Sequence, residues 1–76
     1  MSSEYQYIAK QLFSRGGTGN VMEILGYDAA RFEEGFTIAN NMQNLDLVKL
    51  LYSNFNKNLV VVELTLWGET NAQSHG

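Results

Sequence analysis

The sequence predicts an α+β fold, with N-terminal helices at about residues 3–14, 20–25, 28–42 and 45–55 packed on a small antiparallel sheet that contains a strand at 59–67. Three observations predict it. Leu59 to Trp67 reads LVVVELTLW, β-branched and apolar with no turn former. Its period of two puts Val60, Val62, Leu64 and Leu66 on one face and Val61, Glu63, Thr65 and Trp67 on the other. Upstream of it, apolar residues recur at helical spacing behind residues that favour helix caps. The 76-residue chain, 45% hydrophobic with four Phe, four Tyr and one Trp, is too apolar for disorder and short enough for a single domain, 1–76.

The first helix rests on Tyr5, Ile8, Ala9, Leu12 and Phe13, with Ser3 and Gln6 spaced as a capping box. Tyr5, Tyr7, Ala9 and Phe13 could instead line one face of a strand. Ser14 to Asn20, SRGGTGN, carries three glycines in four residues and reads as a loop. Asn20 then caps a short helix to Leu25, with Glu23 as its box partner and Gly26 as the left-handed residue that ends it. Asp28 caps the next helix, whose stripe is Ala29, Phe32, Phe36 and Ala39, widened by Ile38 and Met42. Gly35 inside it marks close approach of another backbone.

The polar run NNMQNLD ends that helix, and Asn44 can cap a further one over 45–55, in which Leu47, Val48, Leu51 and Phe55 keep helical spacing. The alternative makes 45–67 a β-hairpin turning at Asn56-Lys57-Asn58, with Val48, Leu50 and Tyr52 on one face. After Trp67 the chain is polar and aperiodic, so residues 1–2 and 69–76 are expected to be flexible. No internal repeat suggests a second domain.

With no second confident strand on the helical alternative, the 59–67 strand needs hydrogen-bonding partners from elsewhere, and a partner chain is expected to complete the sheet. No cysteine is present and the single histidine, His75, lies in the polar tail, so neither disulfides nor a metal can assist so small a core. Oligomerisation remains. The N-terminus lacks the basic and apolar regions of a secretory signal and no window is apolar enough for a membrane span, so a soluble cytoplasmic protein with no membrane partner is expected.

Catalysis has little to draw on: the carboxylates sit at helix starts or on solvated faces, and Glu63, inside the apolar run, is the only one whose burial would make it a proton carrier. No enzyme activity and no cofactor are expected. Glycines 16–19 beside Arg15 could cradle a phosphate with backbone N–H groups, but no lysine follows as in a P-loop. Residues 20–25, the Gly26-Tyr27 turn and the helix from Asp28 fit a helix-turn-helix, yet Asp28, Glu33 and Glu34 would face phosphates with like charge in a chain of net charge −3. No nucleic-acid partner is expected.

The remaining class is an acidic protein-interaction module, a regulator, inhibitor or assembly subunit, that acts as a homo-oligomer and binds another, unidentified protein. Its candidate interface is the second strand face, Val61, Glu63, Thr65 and Trp67, supported by Tyr5, Tyr7, Tyr27 and Tyr52, because aromatic residues are enriched where proteins meet.

Overall fold

The computed structural model describes residues 3–73. In chain order it contains α1 (Ser3–Ser14), β1 (Thr18–Asn20), α2 (Val21–Leu25), a 3₁₀ turn (Ala29–Arg31), α3 (Phe32–Asn44), β2 (Val48–Asn54), a second 3₁₀ turn (Phe55–Lys57), β3 (Leu59–Leu64) and α4 (Leu66–Gln73). The fold is α+β: helices on one face of a three-stranded antiparallel sheet in the order β1-β3-β2.

The central strand is the apolar run. Val60 and Val62 are fully buried and Leu64 nearly so, as the alternation requires. Both edges of β3 are occupied within the chain, by β1 at Thr18↔Glu63 and by β2 at Val48↔Leu64. The expected completion of β3 by a partner chain is therefore corrected: two strands that helical spacing and glycine content had concealed supply the hydrogen bonds.

One of them is β2. The helix expected over 45–55 is replaced by the hairpin alternative, turning through Phe55–Lys57 to Asn58, which adopts the left-handed conformation at φ 53°. Its predicted faces also change. A bulge between Leu50 and Tyr52 leaves Leu51 without a partner, so Val48 and Leu50 face the core while Tyr52 joins Lys49 on the outer side. The other is β1, inside the stretch expected to be only a loop. Gly19 pairs with Val62 there, and the position favours glycine because a side chain would press on Leu12, whose Cδ2 stands 3.1 Å from an added Cβ.

Asn20 links these elements. Its Oδ1 accepts from the Met22 N–H at 3.2 Å, the expected cap of α2, and from the Val60 N–H of β3 at 2.8 Å. Gly26 ends α2 at φ 71° and Asp28 caps the turn into α3, both as expected. Other details differ. Ser3 is already the first residue of α1, and the Gln6 Nε2 is buried without a hydrogen-bond partner, so the two do not form the expected box. Glu23 pairs with Arg15 at 2.6 Å instead of closing a capping box.

The core face of α3 is Gly35, Ile38, Ala39 and Met42, rotated from the predicted stripe. Ala29 is exposed, and Phe32 and Phe36 are half-buried at the rim, where Phe55 stands edge-on to Phe32 at 5.4 Å. Gly35 does mark a close approach, though to the Met22 sulfur rather than to backbone.

The expected strand to Trp67 stops at Leu64. Thr65 takes over, accepting from the Gly68 N–H at 3.0 Å and donating to the carbonyls of the 46–47 turn, and so begins α4. Residues 69–73, expected to be a flexible tail, are helical and packed on α1 with Ala72 buried, while 74–76 and 1–2 lie outside the described residues.

Candidate functional site

The outer sheet face follows from the strand registers. Thr18, Glu63 and Lys49 lie side by side across the three strands, and Tyr52 and Val61 form the next cross-strand pair. The helices cover the opposite face, so Lys49, Glu63 and Thr18 are exposed, Tyr52 is 50% exposed and Val61 is half-buried. Two residues of the predicted interface, Val61 and Glu63, thus share one open surface. The other two do not join them, because the chain turns from strand to helix at Thr65: its hydroxyl is taken up by the cap, and Trp67 lies in α4. The sequence signal for this break was Thr65 three residues before Gly68.

Trp67 borders a different feature. Leu45, Leu47, Trp67 and Asn71 line a surface cleft of about 240 Å³ between the end of α3 and α4. Leu47 is nearly buried, whereas Leu45 and Trp67 are each more than half exposed, and Leu66 next to Trp67 is 83% exposed. Thr65 fixes the geometry by joining the 46–47 carbonyls to the first turn of α4. Sequence reasoning missed Leu45 and Leu47 because the helix expected at 45–55 put Leu47 on its apolar stripe and made Leu45 no more than its first residue.

The helix pair α2 and α3, with the β2–β3 hairpin behind it, has the arrangement of a helix-turn-helix followed by a wing. The exposed face of α3 carries Glu33, Thr37, Asn40, Asn41 and Asn44. Between Val21 and Asn44 there is one cation, Arg31, against Glu23, Asp28, Glu33 and Glu34. That cation is engaged: it lies 3.7 Å from the Tyr27 ring centre and pairs with Glu34 at 2.8 Å. The Arg31 hydrogen bond, aided by one from the Tyr27 hydroxyl, holds the Glu34 carboxyl below the ordinary glutamate value. Partial burial and the bond to Glu34 push the Tyr27 hydroxyl up.

The glycine-rich stretch does not form an anion cradle. Gly16 and Gly17 take positive φ to end α1, and their N–H groups donate to the Phe13 and Leu12 carbonyls. Gly19 lies in β1, and Arg15 is paired with Glu23. Among the described residues no group of three or more His, Cys, Asp or Glu is placed to hold a metal ion, and no helix is long and apolar enough to cross a membrane. Of the supporting tyrosines, Tyr7 and Tyr52 are exposed, while Tyr5 and Tyr27 are half-buried against the core.

Comparison with known proteins finds no match to a family model, to a curated protein or to a solved structure.

Proposed function

We propose that this chain is a protein-interaction module, a regulator, inhibitor or assembly subunit, that acts as a homo-oligomer and binds another protein through its surface. The observation that carries the proposal is the open sheet face, on which Tyr52 and Val61 lie beside a cation, Lys49, and an anion, Glu63. A two-fold axis through such a face brings each residue against its counterpart's neighbour, so Lys49 of one copy can meet Glu63 of the other while Tyr52 and Val61 are covered. A single-sign face would repel its copy. A cysteine-free chain is compatible with a cytoplasmic location.

The test is the mass in solution by light scattering at micromolar concentration. A dimer is expected, with Val61→Lys shifting it to monomer; a wild-type monomer would remove the homo-oligomer from the proposal.

Nucleic-acid binding is the second reading, favoured by the helix-turn-helix and wing arrangement. The asparagines on α3 have the amides that read adenine edges. Opposing it is the supply of charge: phosphate contacts dominate affinity for nucleic acid, and the helix pair offers one cation, already paired, against four carboxylates. Titration with mixed duplex and single strands at low salt decides between the two. Submicromolar, salt-sensitive binding would favour the helix-turn-helix reading and overturn the present proposal.

A further inference from the structure

We infer that Gln43 closes the free edge of the sheet: its side-chain carbonyl occupies the backbone position that an added strand would use, and without it β2 pairs with β2 of a second copy, whether or not the open sheet face associates.

The sheet order β1-β3-β2 leaves two outer edges. β1 is three residues long, too short to template a further strand, whereas β2 runs seven residues, Val48–Asn54, and reads VKLLYSN with Lys49 as its one charge. Such a strand on an open edge invites pairing with another chain. Lys49 does not prevent it, because its side chain stands on the outer face rather than in the plane of the sheet.

Which backbone groups are open follows from the ladder. The Leu47 carbonyl accepts from the Thr65 N–H at 3.1 Å, so it points toward the continuation of β3, and alternation then turns the N–H and carbonyl groups of Val48 and Leu50 outward. The Leu50 N–H is already taken: it donates to Gln43 Oε1 at 2.8 Å. Beyond Leu50 the bulge breaks the regular ladder, and the Asn54 side chain donates to the Tyr52 hydroxyl at 2.9 Å and accepts from the Asn56 N–H at 3.0 Å. The regular half of the edge is therefore the half that Gln43 occupies.

The end of α3 puts Gln43 there. Asp46 takes the left-handed conformation at φ 64°, its N–H donates to the Gln43 carbonyl at 2.9 Å, and the Leu47 N–H donates to the Met42 carbonyl at 2.9 Å. This Schellman turn reverses the chain at once, so β2 starts beside the last turn of α3 and Leu50 comes within reach of a side chain seven residues earlier. Gln43 is exposed, and water could satisfy the same donor. A water leaves as a second strand arrives, whereas a tethered amide must first be displaced.

Gln43→Ala keeps helix propensity and removes the acceptor, while Gln43→Glu keeps an acceptor at the same reach. Amide hydrogen exchange on the dilute full chain reads the bond: Leu50 should exchange at least about tenfold faster in Gln43→Ala than in the wild type or Gln43→Glu, with Val60 and Val62 unchanged. Light scattering across concentration, in the wild type and in a Val61→Lys background, reads the edge: Gln43→Ala should add mass in both backgrounds and Gln43→Glu in neither. Equal Leu50 exchange in the wild type and Gln43→Ala, a mass that Gln43→Ala leaves unchanged, Gln43→Glu behaving as Gln43→Ala, or an added mass that Val61→Lys abolishes would overturn the inference. A wild-type monomer whose Gln43→Ala variant associates keeps the edge closure and removes only the homo-oligomer.

Discussion

Gly68 is fixed by what surrounds it more tightly than any glycine the sequence singles out. An added Cβ there would overlap the Leu47 carbonyl oxygen and stand 2.8 Å from Leu64 Cδ2, and backbone cannot move aside without pulling on the Thr65 cap. At Gly35 the obstacle is the thioether sulfur of Met22, a fully buried but unbranched side chain that can yield by repacking where backbone cannot, and alanine also gains about 1 kcal/mol of helix propensity. Gly68→Ala should therefore cost about 2–3 kcal/mol and Gly35→Ala less than about 1 kcal/mol, measured by urea unfolding. Equal costs would show that the α4 contact yields. Only Gly35 was legible in the sequence, because it interrupts a helical period; Gly68 follows a strand-like run and looks like the start of a tail. At Glu34 the depressed carboxyl value has a sign that can be checked. Its contribution is present above the ordinary glutamate value, about 4.3, and is lost as pH falls through the lower folded value. An NMR titration should place its midpoint below that ordinary value, and Arg31→Ala should return it upward, since the Arg31 hydrogen bond is the largest cause.

The elements differ in how far their patterns survive in the sequence. Helices α1 to α3 are legible because each buries a stripe at helical spacing and two of their ends carry recognisable caps, Asn20 and Gly26. Strand β2 is not, since the bulge at Leu51 breaks the period of two and leaves Leu47, Val48 and Leu51 at helical spacing. Strand β1 is three residues long and has no pattern of its own. Its pairing with β3 is a long-range fact that no local window contains. Helix α4 buries only Gly68 and Ala72, so close fit rather than a large apolar stripe holds it, and the sequence offered a polar tail in its place. The interface residues suffered the same way: alternation correctly put Val61 and Glu63 together, but it could not foresee that Thr65 would cap a helix and carry Trp67 to another surface. Asn20 joins three elements through one side chain, its amide also donating to the Asn58 carbonyl at the hairpin turn. Asn20→Ala removes the cap of α2 and leaves the Val60 N–H unpaired, so thermal unfolding should show a loss of about 2–3 kcal/mol, with Asn20→Asp recovering much of it. A loss under about 0.5 kcal/mol would mean that the three elements hold without it.

For the whole molecule, association and folding are separable. With β3 paired on both sides and a radius of gyration of 11.2 Å, against about 11 Å for a compact chain of this length, the fold closes on itself. A dimer through the open sheet face would then dissociate into folded monomers, which permits a charge-swap test. Lys49 and Glu63 are cross-strand neighbours, so a two-fold axis passing between them would set each against its opposite in the other copy. Glu63→Lys sets lysine against lysine both within the sheet and across the interface; the first costs about 0.2–1 kcal/mol, whereas the second acts twice by symmetry. The single variant should be a folded monomer by light scattering and circular dichroism. Adding Lys49→Glu restores opposite charges at both places and should restore the dimer at the same protein concentration, while raised salt should weaken the wild type and the double variant alike. A double variant that stays monomeric would place the association elsewhere than on this face.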